Sequence, residues 1–340
     1  MIIKFFIFTL IYFLMNNLFL KKNVFLDKTE TSKHKSKVST QDKTPLTGGL
    51  IIILFLFFTP IIKDIYFLLA ILLIYLVGLL SDLNILASPL RRIFFQLFVL
   101  IAYIIIGDLE IKSISIDFFD KLLEINLFNI FFISLCLLVL INGSNFIDGL
   151  NTLVVNYFLI CIVFIYFSSV YYNLQLDFDL FTDIIFILII ISVFNFFGKS
   201  FLGDSGSYSL AFFVGVLCIN FIHYNSNVVS PYFIAVLLWY PAIENLFSIV
   251  RRSLSKRDLS GADNLHLHHL IYLFFKKKNF IENKVLVNSL SGILINFYNF
   301  LVIFLSSFYI SNSKMLVTII FFNIVIYLFA YKFFREFNTN

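Results

Sequence analysis

The chain has 340 residues, of which 60% are hydrophobic and only 13% charged, and its mean hydropathy is +0.96. Soluble globular domains carry about 25% charged residues, so a water-soluble protein is excluded and most of the chain is free to form lipid-spanning segments of about 20 residues each. The net charge is +5, and where those charges fall along the chain says more than their sum.

In chain order, apolar runs bounded by polar clusters predict eleven helices, at about 2–20, 46–62, 65–80, 93–106, 127–141, 152–172, 183–197, 208–222, 231–249, 285–310 and 314–332. The expected fold is all-α, a polytopic integral membrane protein of about 11 transmembrane helices forming a single membrane-embedded domain over 1–340. The first run follows Lys4 and ends at Lys21-Lys22 without a small-residue cleavage site, so it reads as a retained span rather than a signal peptide. Cys136, Cys161 and Cys218 all fall inside apolar runs and read as buried small side chains. The 47 phenylalanines carry no functional weight of their own.

An odd number of spans puts the termini on opposite sides, and the excess of Lys and Arg in cytoplasmic loops chooses between the two arrangements. With the N-terminus outside (periplasmic) and the C-terminus cytoplasmic, every one of the 25 basic residues except Lys4, Lys63, Lys112, Lys121 and Lys314 falls inside or at the inner boundary. The outer loops hold Asp108, Glu110, Asp117, Asp120 and Glu124 in one segment and Asp177, Asp179 and Asp183 in another.

That orientation gathers the unusual segments on the inner side: Thr44-Pro45-Leu46-Thr47-Gly48-Gly49, Gly78-Leu79-Leu80-Ser81-Asp82, Asn142 through Gly149, Phe201 through Ser207, and Asp263 through His269. A single aspartate at a membrane boundary is commonly an interfacial cap. Asp82, Asp148 and Asp204, each beside glycine or an amide on one face, favour a shared site instead. Helices beginning on that side turn their unpaired N–H groups toward it, Ser88-Pro89 being an N-cap and N1 pair, and such ends attract phosphate. Carboxylates among them suit Mg²⁺, which binds one or two carboxylates together with phosphate oxygens.

The inner segment from Arg251-Arg252 to His266, His268 and His269 is strongly basic. Part of that charge is ordinary inner anchoring, but three histidines in four positions suit contacts to a sugar phosphate. A zinc reading lacks an HExxH pattern or a cysteine pair.

Together, the TPxxGG turn, GLL-x-D, NxxNFIDGL, FLGDSGS and HLHH, in this order, resemble the polyprenyl-phosphate N-acetylhexosamine-1-phosphate transferase family, over roughly Thr44 to Leu270. The resemblance implies transfer of a sugar 1-phosphate from a UDP-sugar donor to a polyprenyl phosphate acceptor, undecaprenyl phosphate, with release of UMP. The step would initiate O-antigen or other cell-envelope polysaccharide synthesis at the cytoplasmic (inner) membrane of a bacterium. It implies Mg²⁺, with Mn²⁺ as a substitute, catalytic roles for Asp82, Asp148 and Asp204, and metal ligation by Asp204 and Asp148. It further implies substrate contacts from Asn145, Lys199, Arg251, Arg252, His266, His268 and His269. The partners are membrane lipid and the two substrates, not nucleic acid, and the family leaves room for a homodimer. Two positions depart from the family pattern: Ser81 and Asn151 stand where aspartates are usual. The competing class is a secondary transporter, which requires ionisable groups or broken helices near the bilayer midplane. Glu244, after Trp239-Tyr240-Pro241, is the one carboxylate clearly inside a span.

Overall fold

The computed structural model describes residues 2–28, 43–59, 64–254, 265–279 and 281–339. In chain order the elements are α1 (Ile2–Lys22), β1 (Leu26–Lys28), β2 (Lys43–Pro45), α2 (Gly48–Phe58), α3 (Ile65–Asp82), α4 (Pro89–Ile106), α5 (Asp117–Leu123), α6 (Asn126–Ile147) and α7 (Leu153–Tyr172). There follow α8 (Phe178–Phe196), α9 (Gly203–Asn225), α10 (Pro231–Leu237), α11 (Trp239–Leu254), α12 (Leu267–Lys278), α13 (Lys284–Ser307) and α14 (Ser313–Thr339). The two short strands pair antiparallel, with Asp27 opposite Thr44.

Among the described residues each of the eleven apolar runs contains helix, and nine helices are long and apolar enough to cross a membrane. Two runs depart from a simple span. The second yields only the 11-residue α2, about 17 Å at 1.5 Å per residue against a hydrocarbon core of about 30 Å. Its N-terminal neighbours Thr44 and Pro45 are drawn into β2, and residues 60–63 lie outside the described residues. The ninth run breaks at Leu238 into α10 and α11, bent by 73°. Proline lacks an N–H and so cannot bond the carbonyl four residues before it, which for Pro241 is Leu237. The Tyr157 hydroxyl donates to that carbonyl at 2.7 Å and accepts the Tyr240 N–H at 3.3 Å, so one side chain satisfies both edges of the break.

Side-chain caps fix several helix starts: Asp64 accepts the N–H groups of Tyr66 and Phe67, Asp177 that of Leu180, and Asn283 those of Val285 and Leu286. Ser88 is the N-cap of α4 with Pro89 at N1, as the sequence indicates, although its hydroxyl makes no cap bond. The α9 helix is the axis of the bundle, buried at most of its positions. It lies directly against α3: a Cβ on Gly78 would meet the Ser205 Cα at 2.4 Å, so only glycine permits that approach. Elsewhere, large apolar side chains such as Phe94, Phe98 and Ile105 of α4 are exposed on the outer surface, as helices facing lipid require.

Candidate active site

At one end of the bundle, the C-termini of α3 and α6 meet the N-termini of α4 and α9. Asp82 ends α3, and its two carboxylate oxygens accept the N–H groups of Asp204 at 2.8 Å and Ser205 at 3.0 Å. A carboxylate here satisfies two orphan donors and complements the positive end of the α9 dipole. Gly203, at φ +70°, brings the chain round so closely to Asp82 that a Cβ would lie 2.8 Å from Oδ2. Asp204 is thereby held in the first turn of α9 with its side chain toward α3, α4 and α6. Its Oδ2 accepts from Ser81 Oγ at 2.5 Å and from Arg92 Nη1 at 2.9 Å, and its Oδ1 accepts from Asn145 Nδ2 at 2.7 Å. Arg92 also reaches the Tyr208 hydroxyl at 3.3 Å.

The last residues of α6 carry a second cluster beside the first. Phe146 packs on His266 with ring centroids 5.3 Å apart, and Asp148 is the C-cap of α6, its N–H bonded to the Asn145 carbonyl. A Cβ on Gly149 would meet His269 Cε1 at 2.5 Å and His268 Nε2 at 2.7 Å, so the Asp148 loop lies against both rings. His268 and His269 are themselves 4.1 Å apart at their centroids. His266 caps α12, and its Nδ1 lies 3.0 Å from Oε2 of Glu244, while Oε1 of Glu244 accepts the Leu267 N–H at 3.2 Å. Glu244 and His266 are both buried. Burial, followed by the neighbouring His269 and His266, pushes the His268 pKa well below 6.5, so that ring is neutral.

The structure therefore assembles Asp82, Asp204 and Asn145 in one cluster and Asp148, His266, His268 and His269 in the next, joined through α6. Lys199 is exposed in the turn before Phe201. Arg251 donates to the Leu265 carbonyl and to the Tyr331 hydroxyl at 2.9 Å and stacks on Phe247, bracing α11 against α14; Arg252 is buried beside it. Asp263, Asn264, Lys256 and Arg257 lie outside the described residues.

Arg92 is the site residue that sequence reasoning missed, having been counted only as inner-side charge. The signal was present: a basic pair in the first turn of a helix opposes the dipole and so wants a reason, which here is Asp204.

Among the described residues, no three His, Cys, Asp or Glu side chains converge as a cage for a metal ion. A magnesium ion that takes one carboxylate and completes its shell with phosphate oxygens and water needs no such cage. Asp204 suits that mode. Its side chain is 28% exposed, and each of its oxygens has two lone-pair sites, of which Oδ1 gives one to Asn145. Asp82, with both oxygens turned onto backbone N–H groups, fits the role of helix cap.

The sequence profile of glycosyl transferase family 4 matches residues 65–222, the stretch from α3 through most of α9 that carries Asp82, Arg92, Asn145, Asp148 and Asp204. That stretch is similar to glycosyl transferase family 4. A relative from Bacillus subtilis (strain 168), named as a probable undecaprenyl-phosphate N-acetylglucosaminyl 1-phosphate transferase, is 30% identical over 76 residues. That alignment covers 22% of this chain and 21% of the relative. The match thus agrees with the motif resemblance and rests on the part of the chain that builds the carboxylate cluster.

Proposed function

We propose that the protein transfers a sugar 1-phosphate, of N-acetylhexosamine type, from a UDP-sugar to undecaprenyl phosphate, releasing UMP. The observation that carries the reading is the convergence of Asp204, Asn145, Ser81, Arg92 and the histidine cluster at one end of a bundle in which, among the described residues, nine helices are long and apolar enough to cross a membrane. The positive-inside pattern supports placing that end at the cytoplasmic face of a bacterial inner membrane, with the N-terminus outside, where a nucleotide donor and a lipid acceptor meet. Initiation of O-antigen or another envelope polysaccharide is the matching role.

A phosphate monoester has its second pKa near 6, so the lipid phosphate is mostly dianionic at neutral pH and needs no strong base. Its oxygen attacks the β-phosphorus of the donor; a new P–O bond forms, the bond from the β-phosphorus to the bridging oxygen breaks, and UMP leaves with that oxygen. Mg²⁺ on Asp204, with Asp148 nearby, would supply neutralisation of the diphosphate charge. Asn145 and Ser81 aim the Asp204 carboxylate, Arg92 adds a fixed positive charge at the reacting anions, and Glu244 holds the His266 ring in place for a phosphate or sugar contact.

A transporter is disfavoured because the buried carboxylate Glu244 is bound to His266 beside the same cluster, and the helix break at Leu238 is internally satisfied by Tyr157. The test is UMP release by purified protein with UDP-sugar, undecaprenyl phosphate and Mg²⁺. Release that requires all three and is lost in Asp204→Asn supports the reading; flux of a solute without UMP release would sink it.

A further inference from the structure

The residue after the Asp148 loop, Thr152, has φ +67°, a left-handed conformation that a β-branched side chain disfavours and that persists only where the surroundings impose it. Two helices do so. The Thr152 N–H donates to the side-chain carbonyl of Asn195 on α8. Its own carbonyl accepts from Asn296 Nδ2 on α13 at 3.2 Å. The preceding Asn151 gives its N–H to Asn288 Oδ1 at 2.7 Å and its side-chain amide to Ser289 Oγ at 3.2 Å.

Asn195 has a second bond. Its Nδ2 donates at 2.8 Å to the carbonyl of Ser200, in the turn that leads into Gly203-Asp204. Ser200 is fixed in turn: its hydroxyl bonds Tyr12 at 2.7 Å and Thr47 at 2.8 Å, and Phe201 gives its N–H to the Pro45 carbonyl at 2.9 Å. One buried amide thus spans two loops that are otherwise tied to different neighbours, the Asp148 side to α13 and the Asp204 side to α1 and the Thr47 turn.

We infer that Asn195 is a positioning residue that couples the loop carrying Asp148 to the loop carrying Asp204, setting the spacing of the two carboxylates. Only three residues lie between Asp148 and Thr152 and three between Ser200 and Asp204, so a shift at either bond is transmitted to a carboxylate with little chain to absorb it. An amide suits the task because a single side chain offers one acceptor and one donor pointing in divergent directions. The catalytic consequence rests on the transferase reading; the coupling of the loops does not.

The experiment compares the full-length chain in lipid nanodiscs as wild type, Asn195→Ala, Asn288→Ala and Ile191→Ala. Ile191 lies one turn earlier on α8 and is buried, so its truncation lowers stability while leaving both Asn195 bonds in place. Amide hydrogen exchange is followed in peptides covering 148–154 and 198–206. Asn195→Ala is expected to speed exchange in both by about tenfold or more, Asn288→Ala in the first alone, and Ile191→Ala to favour neither. In UMP release, Asn195→Ala is expected to lower kcat by at least about tenfold, as misplacement of catalytic groups by a fraction of an ångström does, with both KM values within about threefold. Should Asn195→Ala not accumulate, Asn195→Ser, too short to span both bonds, carries the same comparison. Faster exchange in only one loop, a kcat loss no larger than that of Ile191→Ala, or a rise in the UDP-sugar KM alone would each overturn the inference, the last by making Asn195 a ligand contact. Wild-type protein that releases no UMP would defeat the transferase reading and leave hydrogen exchange to decide the coupling.

Discussion

The guanidinium of Arg92 lies 2.9 Å from Oδ2 of Asp204, and both are only partly exposed. An ion pair half out of water is stronger than one on an open surface, where such pairs contribute little, so here it orients the carboxylate as well as balancing it. Asp204→Asn removes the charge on which a divalent ion would sit and is expected to lower UMP release by at least about a hundredfold. Arg92→Gln keeps a hydrogen-bond donor but no charge, and a smaller loss, about tenfold, is expected. Equal activity in Asp204→Asn and wild type across a magnesium titration would contradict the assignment.

Ser81 donates to the same oxygen at 2.5 Å, at the position where the resembling family usually has aspartate. Introducing that aspartate by Ser81→Asp sets two carboxylates in contact, which repel until a cation neutralises them. The variant is expected to melt at a lower temperature than wild type in EDTA and to recover more than wild type when Mg²⁺ is added. A melting temperature that does not respond to Mg²⁺ in either protein would argue against metal at this position.

Asp82 accepts two backbone N–H groups at the start of α9. Asp82→Ala leaves both donors unpaired and is expected to cost about 1–2 kcal/mol of stability, seen as a lower thermal midpoint in detergent, together with lost activity as Asp204 drifts. An unchanged midpoint with abolished activity would instead give Asp82 a direct chemical role.

Much of this was legible in the sequence because hydropathy and loop charge act over whole segments. Among the described residues every apolar run contains helix, and the glycine-rich motifs do converge. What the sequence left open depends on single contacts. The end of α2 at Phe58, where the Thr59 hydroxyl turns back to the Phe55 carbonyl, is one such contact, and the bend at Leu238, where Pro241 leaves a carbonyl that Tyr157 reaches, is another. The role of Arg251 was hidden for the same reason: a basic residue in an inner loop looks alike whether it faces a phosphate or, as here, the Leu265 carbonyl and Tyr331. Arg92 went unnoticed because its partner is far away in sequence.

Glu244 presents one oxygen to His266 and the other to the Leu267 N–H. Glu244→Gln retains an acceptor for Leu267 while losing the charge facing the ring. Its stability is expected to stay within about 1 kcal/mol of wild type, whereas Glu244→Ala, which orphans a buried N–H, is expected to cost about 1–3 kcal/mol. Activity should fall in both. A fully active Glu244→Gln would show that the carboxylate serves only as the cap of α12.

His268 gives the protein a directional response to acid. The ring is buried, and its pKa is pushed well below 6.5 by burial first and by the two neighbouring histidines second. Above pH 6.5 the side chain is neutral in both the folded and the unfolded chain and contributes no pH dependence. As the pH falls below 6.5 the unfolded chain takes up a proton that the folded ring refuses, so folding is progressively disfavoured, by at most about 1.4 kcal/mol per pH unit, down to the folded pKa. Glu244 faces His266 rather than His268, so it does not reverse the sign. Thermal midpoints measured from pH 7.5 to 5.0 should decline for wild type and decline less steeply for His268→Gln. A decline as steep in His268→Gln as in wild type would contradict the assignment of His268 as a ring that stays neutral in the folded protein.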